Sequence, residues 1–194
     1  MDFEKQMQIA FDEIKKDLRD LATLDPFYTE QLLRWLRELS IKNRLIYQSK
    51  IQKPDREARQ RRRARVYWID FGVNVGSEFN YPHFGVVLKE FQSHAIVVPI
   101  SSVKDVAQGW KTKENLYIEI GTIQGLPRPE ESYAVVGQIR SISKQRLSDY
   151  LDTDTKQHIP LRLTNEQMDL IDEAVRDILT KPQKIHPSSL TTLE

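Results

Sequence analysis

The stretch GSEFNYPHFGVVLKE, from Gly76 to Glu90, sets one titratable ring, His83, between a polar turn and an apolar run. Imidazole titrates near ~6.5, so a histidine here has the chemistry to take or give a proton near neutrality. The alternative is a loop residue whose ring hydrogen-bonds backbone and rests on Pro82 or Phe84. The chain has four histidines and no cysteine, which excludes disulfides and thiolate metal sites. His94 follows Gln92-Ser93 at the start of an apolar run and reads as structural or solvent-facing. A second concentration of chemistry is KPDREARQRRRAR, residues 53–65, where Arg61, Arg62, Arg63 and four other basic residues face only Asp55 and Glu57. Such a run is either a solvated linker or the frayed end of a helix, or a surface for phosphates, whose oxygens fit the guanidinium fork.

The elements that must position these residues change character at Val66. Phe3, Met7, Ala10, Phe11, Ile14, Leu18 and Leu21 recur at spacings of three and four, which predicts an amphipathic helix over 3–22. Asp25-Pro26 supplies an N-cap followed by proline at the first helical position. A second helix is expected to about Gln48, with Tyr28, Leu32, Trp35, Leu36, Leu39 and Ile46 as its stripe. Two such helices bury little alone, so a hairpin docked on the next domain or on a second copy is expected.

From Val66 the runs are β-branched and aromatic, bounded by Gly, Pro, Asn and Ser, and strands are predicted at 66–71, 85–90, 94–100, 115–120 and 133–138. Residues 105–114 and 125–132 read as loops, and Ser143–Tyr150 as one or two helical turns. Tyr67 and Trp68 alternate along the first strand and read as core and dimer packing. Thr164-Asn165-Glu166-Gln167 matches a capping box that opens a helix to about Thr180, with Met168, Ile171, Ala174, Val175 and Ile178 on one face. Consecutive short strands without long intervening helices favour an antiparallel, partly closed barrel. The expected organisation is a helical hairpin over 1–50, a basic linker over 51–65, a barrel domain over 66–180 and a loose tail over 181–194.

Hydrophobic residues make up 39% of the chain and charged residues 29%, with a formal net charge of +1. A packed core is therefore expected and full disorder is not. No apolar run approaches the ~20 residues that cross a bilayer, and the N-terminus has no apolar signal region. Membrane partners are not expected, and a reducing cytoplasm agrees with the absence of cysteine.

Several separated pieces resemble the MazF/PemK family of toxin endoribonucleases from bacterial toxin–antitoxin pairs. VYWIDFGVNVGSE is similar to the family's opening strand and its Gly-Ser-Glu loop. GVVLKE and AIVVPISS are similar to the next two strands, and GLPRPEESYAVVGQIRSISKQRL is the most specific match. The pieces fall in order over Val66–Ile178 and do not include residues 1–60 or the tail. The resemblance implies an α+β protein with a mainly β core: a small SH3-like antiparallel β-barrel of the MazF/PemK/CcdB type with a C-terminal helix, here preceded by an α-helical hairpin. It implies a homodimer that cuts single-stranded RNA without a metal or other cofactor, and a cognate antitoxin as partner.

RNA carries its own nucleophile, the 2′-hydroxyl, so cleavage needs a base, an acid and a clamp for the charged phosphorane. In the MazF branch much of this falls to an arginine after the Gly-Ser-Glu loop and a threonine ending the third strand. Those positions are His83 and Ser101 here. The hydroxyl is kept; the arginine is replaced by a group that titrates. A second branch uses a histidine in the loop with a late arginine and aspartate, and this chain has Ser77, Val135 and Gly137 there, so that set is absent. Glu78 is a candidate base or a carboxylate that fixes the turn. Ser77, Phe79, Asn80, Tyr81 and Ser102 are the implied RNA-binding residues around the groove, with Phe79 and Tyr81 either stacking on bases or packing the loop. Gln138 and Arg140 match the family's late motif; Arg140 would meet phosphate or form an ion pair with Asp70 or Glu119. A different class of function is a non-catalytic module, since the related CcdB toxins use this fold to poison DNA gyrase.

Overall fold

A computed structural model describes residues 2–49, 63–102, 116–126 and 131–181. The basic linker with Arg61 and Arg62, the 105–114 loop and the tail beyond 181 lie outside the described residues. The chain divides into two compact units, residues 1–58 and 59–194.

The first unit is a helical hairpin. Helix α1 spans Phe3–Leu24 and α2 spans Pro26–Ser49. Asp25 joins them: its Oδ1 accepts from the N–H of Tyr28 at 2.8 Å and its carbonyl accepts from the Thr29 hydroxyl at 2.8 Å. The proline at the first position of α2 costs nothing, because the N–H it lacks would have had no helical acceptor there. No residue of α1 is buried, and Phe3, Phe11 and Phe27 are exposed. Phe11, Ile14, Leu18 and Ala22 of α1 face Thr29 and Leu33 of α2 across an open groove.

The second unit is mainly antiparallel sheet. Its strands are β1 (Arg65–Asp70), β2 (Pro82–Glu90), β3 (His94–Ser102), β4 (Tyr117–Thr122), β5 (Glu131–Val135), β6 (Arg140–Ser143) and the two-residue β7 (Leu147–Ser148), β8 (Tyr150–Leu151), β9 (His158–Ile159) and β10 (Leu161–Arg162). The order is β10-β1-β2-β3-β5-β4, with β6 also on β3, β7 also on β1, and β8-β9 as a separate hairpin. Strand β3 is shared: its first half pairs with β6 and its end, Ile100–Ser102, pairs with β5. A bulge between Val87 and Lys89 bends β2 against β3.

Both faces of the central strands are buried, which is why β2 and β3 carry solid apolar runs rather than strict alternation. Val66, Val86, Val98 and Ile100 form one core with helix α3 (Asn165–Thr180) through Met168, Ile171 and Ala174. Tyr67, Ile69, Phe71, Val87, Ala95, Val97 and Ile142 form the other, closed by the partly buried Phe79 and Leu147. Helix α3 opens on the expected capping box: Gln167 N–H donates to Thr164 Oγ1 and Thr164 N–H to Gln167 Oε1. The Gln167 amide also reaches the carbonyls of Ile120 and Thr122, fixing α3 to β4.

Of the one or two helical turns expected over Ser143–Tyr150, one is present, the 3-10 turn Lys144–Arg146, and the remainder is taken by the short strands β7 and the start of β8. One local expectation is corrected. Trp68 is not core: Tyr67 is buried, whereas Trp68 is 41% exposed, because the faces taken by Val66 and Tyr67 leave Trp68 beyond the edge of the first core.

Gly85 pairs with Tyr67 and Pro99, two residues from His83. A Cβ there would lie 2.7 Å from Ile69 Cδ1 and 3.3 Å from the Val98 carbonyl oxygen. Ile69 is fully buried, and the Val98 carbonyl is backbone, so the neighbours of an added methyl group must shift. Gly85→Ala is expected to destabilise the unit by about 1–3 kcal/mol, the usual cost of overpacking, measured by urea denaturation; an unchanged midpoint would contradict the close approach.

Candidate active site

The candidate site lies where β1 ends, β2 begins, β3 ends and β5 begins. It is an open cavity of about 840 Å³ whose lining includes His83, Ser101, Ser102, Glu131, Ser132 and His158. Register explains how residues far apart in sequence meet there. The paired register of β2 and β3 ends at Gly85 and Pro99; His83 lies two residues before the one and Ser101 two residues after the other, and both line the cavity. Ser101 is buried at 6% exposure, and Ser102 pairs with Ser132 of β5.

His83 is held by the loop before it. Its ring meets Phe79 edge-on at 4.7 Å, and Phe79 in turn meets Phe71 at 5.2 Å. Its Nδ1 lies 3.4 Å from the carbonyl oxygen of Tyr81. Tyr81 has φ of 65°, a left-handed conformation uncommon for a bulky residue, and its N–H donates to the Gly72 carbonyl at 2.8 Å. The Asn74 side chain donates to the carbonyls of Phe71 and Phe79, and Asn80 Oδ1 accepts from the Asn74 N–H.

Most of the other sequence-derived candidates brace this loop. Gln138 Nε2 donates to the Ser77 carbonyl at 3.1 Å, and its Oε1 accepts from Phe79 N–H at 3.2 Å. Arg140 reaches the Phe79 carbonyl and pairs with Glu78 at 3.5 Å, rather than with Asp70 or Glu119. Ser77, Glu78, Phe79, Asn80, Tyr81, Gln138 and Arg140 therefore form one buttress behind His83 and do not line the cavity. Arg63 is placed elsewhere: it donates to the Leu88 carbonyl at 2.8 Å and pairs with Asp172 of α3. His94 stacks on Phe91 at 4.6 Å, at the β2–β3 turn.

Sequence reasoning missed three parts of the cavity. An aromatic wall is made by Trp68, Phe84 and Tyr150, with Trp68–Phe84 at 4.9 Å and Phe84–Tyr150 at 5.5 Å, both edge-on. Asp149 lines the cavity and is paired with Arg65 at 2.8 Å. His158 lies on the β8–β9 hairpin. The only signal in the sequence was the small number of histidines.

That hairpin is set by Asp152. Its Oδ1 accepts from the N–H groups of Thr155 and Asp154, each at 2.8 Å. Those bonds, Thr155's first, hold the Asp152 carboxyl below the usual aspartate range. A lowered folded value contributes stability that is full above the ordinary range and lost as pH falls through that value. Acidification is therefore expected to remove the hydrogen-exchange protection of the Thr155 and Asp154 amides, relative to intrinsic rates, before the α3 amides lose theirs; simultaneous loss would contradict it. On β5, burial and the nearby Glu119 and Glu131 raise the Tyr133 hydroxyl, so it stays protonated at neutral pH.

Among the described residues, no three His, Asp or Glu side chains converge as a metal cage, and no helix is long and apolar enough to cross a membrane. The family described as PemK-like, MazF-like toxin of type II toxin–antitoxin systems matches residues 62–179. Among solved structures, MazF from Deinococcus radiodurans is similar at 12% identity and a TM-score of 0.42, over 61% of this chain and 96% of that one. An endoribonuclease in complex with its cognate antitoxin, from a mycobacterial species, is similar at 17% identity and a TM-score of 0.37, over 62% and 94%. No curated protein matches the chain.

Proposed function

The chain belongs to the PemK-like, MazF-like toxin family of type II toxin–antitoxin systems, and we propose from that premise that it is an endoribonuclease that cuts single-stranded RNA without a metal. The observation that supports this reading is that His83, at the start of β2, and Ser101, near the end of β3, both line one open cavity. His83 takes the proton of the 2′-hydroxyl, which attacks the adjacent phosphorus. The Ser101 hydroxyl donates a hydrogen bond to a phosphate oxygen as charge builds on it. Glu78, paired with Arg140, acts by holding the loop that carries His83. A cognate antitoxin is the protein partner, and the working form is a homodimer.

Incubating the full chain with mixed-sequence single-stranded RNA in excess EDTA, beside DNA of the same sequence, tests this. RNA is expected to be cut to 2′,3′-cyclic phosphate and 5′-hydroxyl ends, and DNA left intact. Cleavage of both, or of neither, would overturn it. A second reading, a module that binds without cutting, is favoured by the absence of lysine and arginine among the described residues lining the cavity. Binding of RNA without cleavage would decide for it.

The aromatic wall gives bases a stacking surface, which single-strand recognition uses. Trp68→Ala, in a chain also carrying His83→Ala to prevent cleavage, is expected to weaken single-stranded RNA binding by about 1–3 kcal/mol. Fluorescence anisotropy with a labelled oligonucleotide measures this; equal affinity would remove Trp68 from the binding surface.

A further inference from the structure

The cavity holds a second imidazole, and the chemistry above leaves one proton without a donor. Attack of the 2′-oxygen and departure of the 5′-oxygen occur on opposite sides of phosphorus, so one imidazole cannot serve both oxygens in the same step. We infer that His158 is the general acid of the cleavage step, an assignment that rests on the nuclease reading just given.

Three observations support it. First, among the described residues lining the cavity, His83 and His158 are the ones able to carry positive charge. The other ionisable groups there are Glu131, the Arg65-paired Asp149, and Tyr150. A phosphate held in this cavity would thus depend on a protonated imidazole. Second, His158 is exposed toward the cavity from a fixed hairpin. It pairs with Leu151, and its neighbour Ile159 pairs with Tyr150 and packs on the core. The turn is closed by Asp152 N–H to the Gln157 carbonyl at 3.0 Å and Lys156 N–H to the Asp152 carbonyl at 2.9 Å. Tyr150 then ties the hairpin to Phe84, the residue after His83. Third, the His83 Nδ1 faces the Tyr81 carbonyl. With the proton on Nδ1, Nε2 is left to accept one, which makes His83 the base and leaves the acid role open.

The step balances. The 2′-O–P bond forms as the P–O5′ bond breaks; the 2′ proton passes to His83 and a proton passes from His158 to the 5′-oxygen. The products are a 2′,3′-cyclic phosphate and a 5′-hydroxyl, with the two imidazoles having exchanged charge states. The charged groups on the hairpin around His158 are Asp152, Asp154 and Lys156, and the carboxylates lining the cavity with it are Glu131 and Asp149.

The test uses the full chain, with His158→Ala and His158→Gln variants whose folding is checked by thermal melting. The substrates are an RNA oligonucleotide and its counterpart with a 5′-thio bridging atom at the cut position, a leaving group that needs no acid. Both variants are expected to lose about 10²- to 10⁴-fold on ordinary RNA and to approach wild-type rates on the thio substrate, whereas His83→Ala stays slow on both. The alkaline descent of the wild-type pH profile should also vanish in the His158 variants, because an acid must be protonated to act. Undiminished cleavage of ordinary RNA by the variants, or equal losses on both substrates, would overturn the assignment alone. A wild-type chain that cuts neither substrate would overturn the nuclease reading and this assignment with it.

Discussion

His83→Ala is expected to lower the rate of single-stranded RNA cleavage by about 10²- to 10⁴-fold, the contribution of a positioned proton-transfer group. The loss should fall on kcat, since the ring acts in the transition state and the aromatic wall that would hold bases is untouched. His83→Arg separates two roles. Arginine is permanently charged and does not exchange protons near neutrality, so it restores a clamp but not a base. If His83 is the base, the arginine variant stays close to the alanine one. Activity recovered by arginine would mean that the position works through charge. A base must be unprotonated to act, so the wild-type rate should fall on the acid side, and this limb should disappear in both variants.

The second large effect is on stability. Phe71→Ala removes a fully buried ring from the second core. Large aromatic deletions of this kind cost about 3–5 kcal/mol. The ring also backs Phe79, which backs His83, so residual activity per folded molecule should fall as well. Val75→Ala, in the same loop but 82% exposed, is expected to stay within about 0.5 kcal/mol. Urea denaturation of the three proteins measures this. A Phe71→Ala loss below about 1 kcal/mol would contradict the close packing of this core, which has little space to collapse into the gap.

What was legible in the sequence was local or periodic. The α3 capping box needs only four consecutive residues, and both of its hydrogen bonds are present. The long helices follow from apolar spacing, and β1 to β3 from dense β-branched runs. The turn from α1 to α2 followed from Asp25-Pro26 in the same way. Elements of two residues have no period to detect, so β7 to β10 were not foreseen, and with them went the hairpin that carries His158. Trp68 shows a different limit. Alternation says which residues share a face, but not where the core on that face stops. Arg140 shows a third: a charged partner is set by loop conformation, and Glu78 is brought to it by the bonds of Gln138 and Asn74. His83 and Ser101 were found as single positions; that they line one cavity needed the folding of strand ends distant in sequence.

Under the proposed function, this cavity cuts RNA by activating the substrate's own 2′-hydroxyl. The most direct measurement uses one single-stranded oligonucleotide with a known cut position and a second that is identical but for a 2′-deoxy sugar at that nucleotide. In excess EDTA, the wild-type chain is expected to cut the first and leave that bond in the second intact, while still binding both. Cleavage of the deoxy-substituted bond would contradict the account, because water or a protein group would then be the nucleophile.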